Sequence, residues 1–149
     1  MYSKVMLALD GSEETSQLVS TATQLMDEER GQMLVVHLTE LTAARGSGPV
    51  HLDEDDRIAR VREQVARLTG KGIDAKLVLG STVRNPAEAI ARVAELTEAD
   101  VIVTGPSSHG PVLGAIAGDT PKALLRRAPC PVLVVAPRSC DRQHVSVAA

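Results

Sequence analysis

Apolar positions along the chain fall into two alternating patterns. A continuous apolar run occurs at Val5-Met6-Leu7-Ala8-Leu9, and largely apolar segments follow at Met33-Leu34-Val35-Val36-His37-Leu38, from Ala75 to Leu79 around Lys76, from Asp100 to Thr104 around Val101-Ile102-Val103, and from Pro131 to Ala136. A short run of this kind fits a strand buried on both faces. Between the runs, apolar residues recur every three to four positions, the period of a helix with one buried stripe. Leu18, Ala22, Leu25 and Met26 predict a helix from Ser12 to about Glu29, with Glu13 and Glu14 in its first turn and Gly31 at its end. Ile58, Val61, Val65 and Leu68 predict a second helix from Asp53 to Leu68, stopped by Gly70 and Gly72. The acids Asp53 to Asp56 lie at its start, where the helix dipole favours negative charge. Ile90, Val93 and Ala94 mark a third helix. There Asn85 caps, Pro86 suits the first helical position and Glu88 stands where a capping-box partner belongs. A short fourth helix runs from Asp119-Thr120-Pro121 to Arg126-Arg127-Ala128.

The predicted order is β-α-β-α-β-α-β-α-β. Apolar strands joined by helices imply an α/β fold with a parallel sheet covered on both faces, and right-handed crossovers make it doubly wound. Ligands in such sheets bind beyond the carboxyl ends of the strands, where the winding reverses. The two most distinctive loops follow strands one and four, at Asp10-Gly11-Ser12 and at Gly105 to Gly118. A strand order of 3-2-1-4-5 brings them together at that reversal. Thr39 to Leu52 reads as a long loop. Residues 1–138 are expected to form one domain and 139–149 a flexible tail.

The chain has 149 residues, 44% apolar and 23% charged, which suits a single globular domain. No apolar run approaches the ~18 residues of a membrane span. The N-terminus lacks the apolar stretch and cleavage site of a signal peptide, so a cytoplasmic location is expected. A net charge of −3 argues against a general nucleic-acid binder. The charge is uneven: residues 1–75 carry 8 basic and 13 acidic side chains, and residues 76–149 carry 8 and 6. The C-terminal half is thus the better placed to meet an anion. One Tyr and no Phe or Trp leave no platform for stacking bases. Cys130 and Cys140 have neither redox nor zinc spacing. Cys130, between two prolines, reads as a small buried hydrophobe and Cys140 as a free thiol in the tail.

Candidate chemistry concentrates in the Gly105–Gly118 loop. A Gly-rich loop running into a helix N-terminus presents backbone N–H groups to a phosphate, though an ordinary surface loop has the same composition. Asp10 is placed either to accept from a ligand or to cap the first helix. His37 is read as structural, His51 and His144 as loop and tail residues, and His109 as the one histidine with a ligand role in view. No histidine pair has metal-ligand spacing. Ser107-Ser108-His109 lacks the nucleophile elbow of a hydrolase, and no general acid/base pair stands out.

The opening Val5-Met6-Leu7-Ala8-Leu9-Asp10-Gly11-Ser12-Glu13, the strand end Val35-Val36-His37, the helix start Asn85-Pro86-Ala87-Glu88-Ala89-Ile90 and the closing Ala128-Pro129-Cys130-Pro131-Val132-Leu133-Val134-Val135 resemble the universal stress protein family. The resemblance spans about Lys4 to Pro137. It implies an adenine nucleotide, ATP or AMP, as ligand, held in the family's binding members by the pattern Gly, two residues, Gly, nine residues, Gly, then Ser or Thr. Gly105 and Gly118 match the first and last of these glycines. Ser108 replaces the second and Asp119 replaces the Ser or Thr, with Ser107, His109 and Thr120 alongside. Asp10 matches the Asp on the adenine side, and Leu38 the position whose backbone meets adenine.

The two departures weaken the phosphate grip. Ser108 adds a side chain where glycine permits close approach. Asp119 offers a carboxylate where a hydroxyl donates. Two unit charges ~4 Å apart repel by about 4 kcal/mol at an effective dielectric constant of about 20, before screening. A Mg²⁺ bridging Asp119 to phosphate reverses the sign, and Asp119 also reads as a plain helix cap. The resemblance further implies a homodimer through the fifth strand, from Val132, Leu133, Val134 and Val135 to Ala136, since an uncovered edge pairs with its copy. The implied function is a stress-response module that works by binding and is not an enzyme. The alternative is a nucleotide-independent module acting through dimerisation and protein partners, with neither nucleic acid nor membrane involved.

Overall fold

The computed structural model describes residues 1–11, 15–40, 52–83, 85–106 and 120–135. The apolar runs form the strands β1 (Lys4–Ala8), β2 (Gln32–Glu40), β3 (Asp74–Thr82), β4 (Val101–Thr104) and β5 (Val132–Val134). The periodic segments form the helices α1 (Ser16–Leu25), α2 (Leu52–Gly70), α3 (Pro86–Thr97) and α4 (Thr120–Arg127). All neighbouring strands are parallel, in the order β3-β2-β1-β4-β5. This is the expected doubly wound sheet, and its winding reverses between β1 and β4.

Alternation along the central strands divides the core in two. Val5, Leu7, Leu9, Met33 and Val35 pack with Ala22 of α1 and with Val61 and Leu68 of α2. Met6, Val36 and Ile102 pack on the other face with Ala87, Ile90 and Ala94 of α3 and with Leu124 of α4. Both cores are aliphatic, as a chain almost without aromatic residues requires. Among the described residues, no helix is long and apolar enough to cross a membrane.

Several boundaries differ from the sequence expectation, each for a local reason. Helix α1 begins at Ser16, with residues 12–14 outside the described ones, and ends at Leu25 instead of Glu29. Tyr2 ends it: its N–H donates to Leu25 O at 2.8 Å, and Tyr2 O accepts from Asp27 N at 2.9 Å. The Asp27 carboxylate then accepts from the backbone N–H groups of Glu29 and Arg30, which makes a turn. Strand β2 continues past Leu38 to Glu40, and β3 continues past Gly80 to Thr82, because the two remain paired from Gln32↔Asp74 to Glu40↔Thr82. Residues 39 and 40 are therefore strand and not loop. The expected fifth strand narrows to Val132–Val134, although Val135 N still donates to Thr104 O at 2.9 Å. Ala136, Cys140 and the expected tail lie outside the described residues.

Asn85 caps α3 as the sequence suggests, accepting from Ala87 N at 2.9 Å with Pro86 in the first turn. Glu88 accepts from Arg127 Nη1 of α4 at 3.4 Å, so its carboxylate meets that guanidinium and not the capping-box N–H. Cys130 is half-buried against the α3–α4 core. Burial and the nearby Asp100 charge push its thiol pKa up, in keeping with an unreactive packing residue.

Candidate functional site

The reversal of winding places three expected site residues at one edge of the sheet. Ala8 pairs with Val36 of β2 on one side and with Thr104 of β4 on the other. The next residues along these strands bring Leu9-Asp10, His37-Leu38 and Gly105 to the same carboxyl-terminal level. Leu9 N still donates to Val36 O at 2.9 Å, so the alignment persists beyond β1. Asp10, Leu38 and Gly105 are each half-buried. Gly105 lies close under α1: a Cβ there would come 3.3 Å from Leu18 Cδ1. Thr120 is the first residue of α4 and is half-buried. Ser107, Ser108, His109, Gly118 and Asp119 lie outside the described residues.

The turn after β1 is pressed against α2. Gly11 has φ +75°, in the left-handed region, and a Cβ there would overlap Arg57 Cβ and lie 2.8 Å from Arg57 Cα. Arg60 Nη1 donates to Gly11 O at 3.1 Å. Gln64 Nε2 donates to the hydroxyl of the buried Thr15 at 3.2 Å. Thr15 stands at the α1 N-cap position without capping through its side chain, because that oxygen faces α2. A small cavity of about 190 Å³ remains between this turn and α2, bordered by Leu9, Thr15, Arg60 and Gln64. Ligand pockets start at about 300 Å³, so this cavity is small for a nucleotide.

Sequence reasoning missed a second link between this edge and α2. His37 is 3% exposed, and its side chain points to the α2 face while Leu38 packs on the opposite face. His37 Nδ1 lies 2.8 Å from Leu9 O, and a carbonyl only accepts, so Nδ1 carries a proton. His37 Nε2 lies 2.7 Å from Glu54 Oε1 of α2. The same carboxylate oxygen accepts from Thr39 Oγ1 at 2.6 Å. Burial raises the Glu54 pKa, but hydrogen bonds with Thr39 and His37 and the charges of His37 and Arg57 outweigh it and hold the carboxyl below its usual range. The stabilisation that follows is present above the ordinary carboxyl range and is lost as pH falls through the lower folded value. The dipole account of the acidic run at the α2 start gave Glu54 no such partner. The signal available in the sequence was the i, i+2 spacing of His37 and Thr39, which puts both on one face of a strand.

The edge carries a carboxylate at Asp10, a β2 backbone running past Leu38 and a side-chain-free approach at Gly105. Such an arrangement suits a polar planar ligand lying across strand ends. Among the described residues, no group of three His, Cys, Asp or Glu side chains is placed to hold a metal ion.

Comparison with known proteins agrees with this architecture. The chain matches the universal stress protein family over residues 1–136. A universal stress protein of Thermus aquaticus is 30% identical over 145 residues, covering 91% of this chain and 99% of the relative. A crystal structure of a universal stress protein family member from Burkholderia pseudomallei is 28% identical with a TM-score of 0.67, covering 90% of this chain and 96% of that one. Another crystal structure, of a universal stress protein in complex with cAMP, shares the fold at 21% identity and a TM-score of 0.65, covering 90% and 97%. The chain belongs to the universal stress protein family.

Proposed function

We propose that this protein is a cytoplasmic stress-response module that binds an adenine nucleotide at the carboxyl edge between Asp10, Leu38 and Gly105, and acts through binding without turnover. The observation that carries the reading is the common level of these three residues where the winding reverses. The cAMP complex of a protein with the same fold supports the ligand class. In this reading Asp10 accepts from the adenine amino group or a ribose hydroxyl, and the Leu38 backbone meets the base edge. By the family pattern, Gly105, Ser107, Ser108, His109, Gly118, Asp119 and Thr120 are read as the phosphate side of the site. Asp119 repels the outer phosphates unless Mg²⁺ bridges them.

AMP is therefore expected to bind at least as tightly as ATP when metal is removed. Calorimetric titration of both nucleotides in EDTA tests this. Clearly tighter ATP binding contradicts it, and binding of neither returns the protein to the nucleotide-independent alternative.

The protein is further proposed to be a homodimer through the β5 edge. Leu133 and Val134 are 37% and 39% exposed, and among the described residues β4 alone pairs with their strand. An apolar open edge is a pairing template, and a lysine on it blocks pairing. Val134→Lys is expected to give a monomer by light scattering where the wild type is a dimer. A variant that remains dimeric would remove β5 from the interface.

A further inference from the structure

One carboxylate ties together the backbone on both sides of the candidate cleft. Glu54 Oε1 meets His37 Nε2 and Thr39 Oγ1, the two side chains that flank Leu38 on β2. The far side of the same imidazole holds Leu9 O, the carbonyl directly before Asp10. The chain of contacts runs Leu9 O, His37, Glu54, Thr39, and it encloses both expected recognition points without occupying either. Leu38 packs on the opposite face of the sheet, while its neighbours His37 and Thr39 are pinned from α2. The ring is almost fully buried, and among the described residues no buried side-chain nitrogen or oxygen is left without a partner.

We infer that Glu54 is a positioning residue for the nucleotide cleft, setting through His37 and Thr39 the spacing between Asp10 and the Leu38 backbone. The inference rests on the adenine-nucleotide reading above and adds to it a residue outside the cleft that controls affinity. Glu54 acts on the ligand only through these two side chains. The charged groups acting on its carboxylate are His37 from β2 and Arg57 from the next turn of α2. Without Glu54, the ring loses the partner that fixes its rotation, and the Nδ1–H bond to Leu9 O loses its aim. Partners that orient a histidine ligand in metal sites are worth about tenfold or more in affinity, and the same scale is expected for this one.

The test compares wild type, Glu54→Ala, Glu54→Gln and Leu68→Ala by AMP calorimetry, thermal melting and NMR of the His37 ring without nucleotide. Leu68 is buried at the far end of α2 and reports on destabilisation alone. Glu54→Ala is expected to weaken AMP by about tenfold and to lose the slowly exchanging Nδ1–H signal. Glu54→Gln, whose amide can meet both partners, is expected to keep the signal and to stay within about threefold of wild type. Leu68→Ala is expected to melt earlier with AMP affinity unchanged. Wild-type affinity in Glu54→Ala overturns the inference, as does a loss in Leu68→Ala that matches its own destabilisation. If Glu54→Ala does not fold, Thr39→Val, which removes one donor, is expected to weaken AMP by about fivefold, and unchanged binding there overturns the inference. Failure of wild type itself to bind AMP overturns the nucleotide reading and this inference with it, a result separable from failure in the variants alone.

Discussion

Gly11→Ala is expected to lower the melting temperature by about 10 °C. Two costs combine. The residue has φ +75°, a region that costs an L side chain about 1–2 kcal/mol. The added Cβ would also overlap Arg57 Cβ and approach Arg57 Cα at 2.8 Å and Arg57 O at 2.9 Å. These are mostly backbone atoms of a helix and cannot rotate away, so the turn or α2 must shift, at about 1–3 kcal/mol. The sum is about 3 kcal/mol. Gly72 supplies the control: its φ is +84° and nothing lies within 4 Å of a Cβ there. Gly72→Ala should thus show the conformational cost alone, about 1 kcal/mol. Equal drops for the two variants, read by calorimetric melting, would mean that the turn does not press on α2. Because Asp10 precedes Gly11, the shifted turn should weaken AMP binding as well.

Asp119→Ser is expected to tighten ATP binding by about a hundredfold in the absence of Mg²⁺, equivalent to about 2.7 kcal/mol. The family resemblance puts a Ser or Thr at this position in nucleotide-binding members, where a hydroxyl donates to a phosphate oxygen and a carboxylate repels it. The unscreened repulsion of about 4 kcal/mol is reduced by salt, so the gain should grow as ionic strength falls. AMP, with one phosphate, should gain less than ATP. Serine caps a helix about as well as aspartate, so the melting temperature should change little. Unchanged ATP affinity in Asp119→Ser at low salt would place Asp119 away from the phosphates and leave it the capping role.

The sheet was legible because its strands are apolar on consecutive residues and its helices apolar at every third or fourth. Val5 to Leu7 and Val101 to Val103 are buried along their whole length, which only a sheet covered on both faces allows. The 3-2-1-4-5 order was an expectation that handedness alone does not fix, and the pairing of β1 with both β2 and β4 establishes it; α3 announced its start through Asn85 and Pro86. Element ends were less legible because they depend on partners distant in sequence. Tyr2 shortens α1 from 23 or more residues away, and β3 draws β2 on to Glu40. The same holds at the candidate site. Asp10, Leu38 and Gly105 could be named from motif position, but the contacts around the first two come from α2, and Gly105 lies under Leu18 of α1. Neither the packing of Gly11 on Arg57 nor the meeting of His37 with Glu54 leaves a periodic trace. In sequence the acids from Asp53 to Asp56 look equivalent, and the fold brings Glu54 against both His37 and Thr39.

The central claim is that an adenine nucleotide lies across the carboxyl ends of β1, β2 and β4. Backbone amide NMR during AMP titration tests it most directly. The account predicts saturable shifts at Asp10, Leu38, Thr39 and Gly105, with the amino-terminal ends of the same strands, such as Lys4, Gln32 and Val101, unmoved. Shifts clustered elsewhere, or none at saturating AMP, would contradict it.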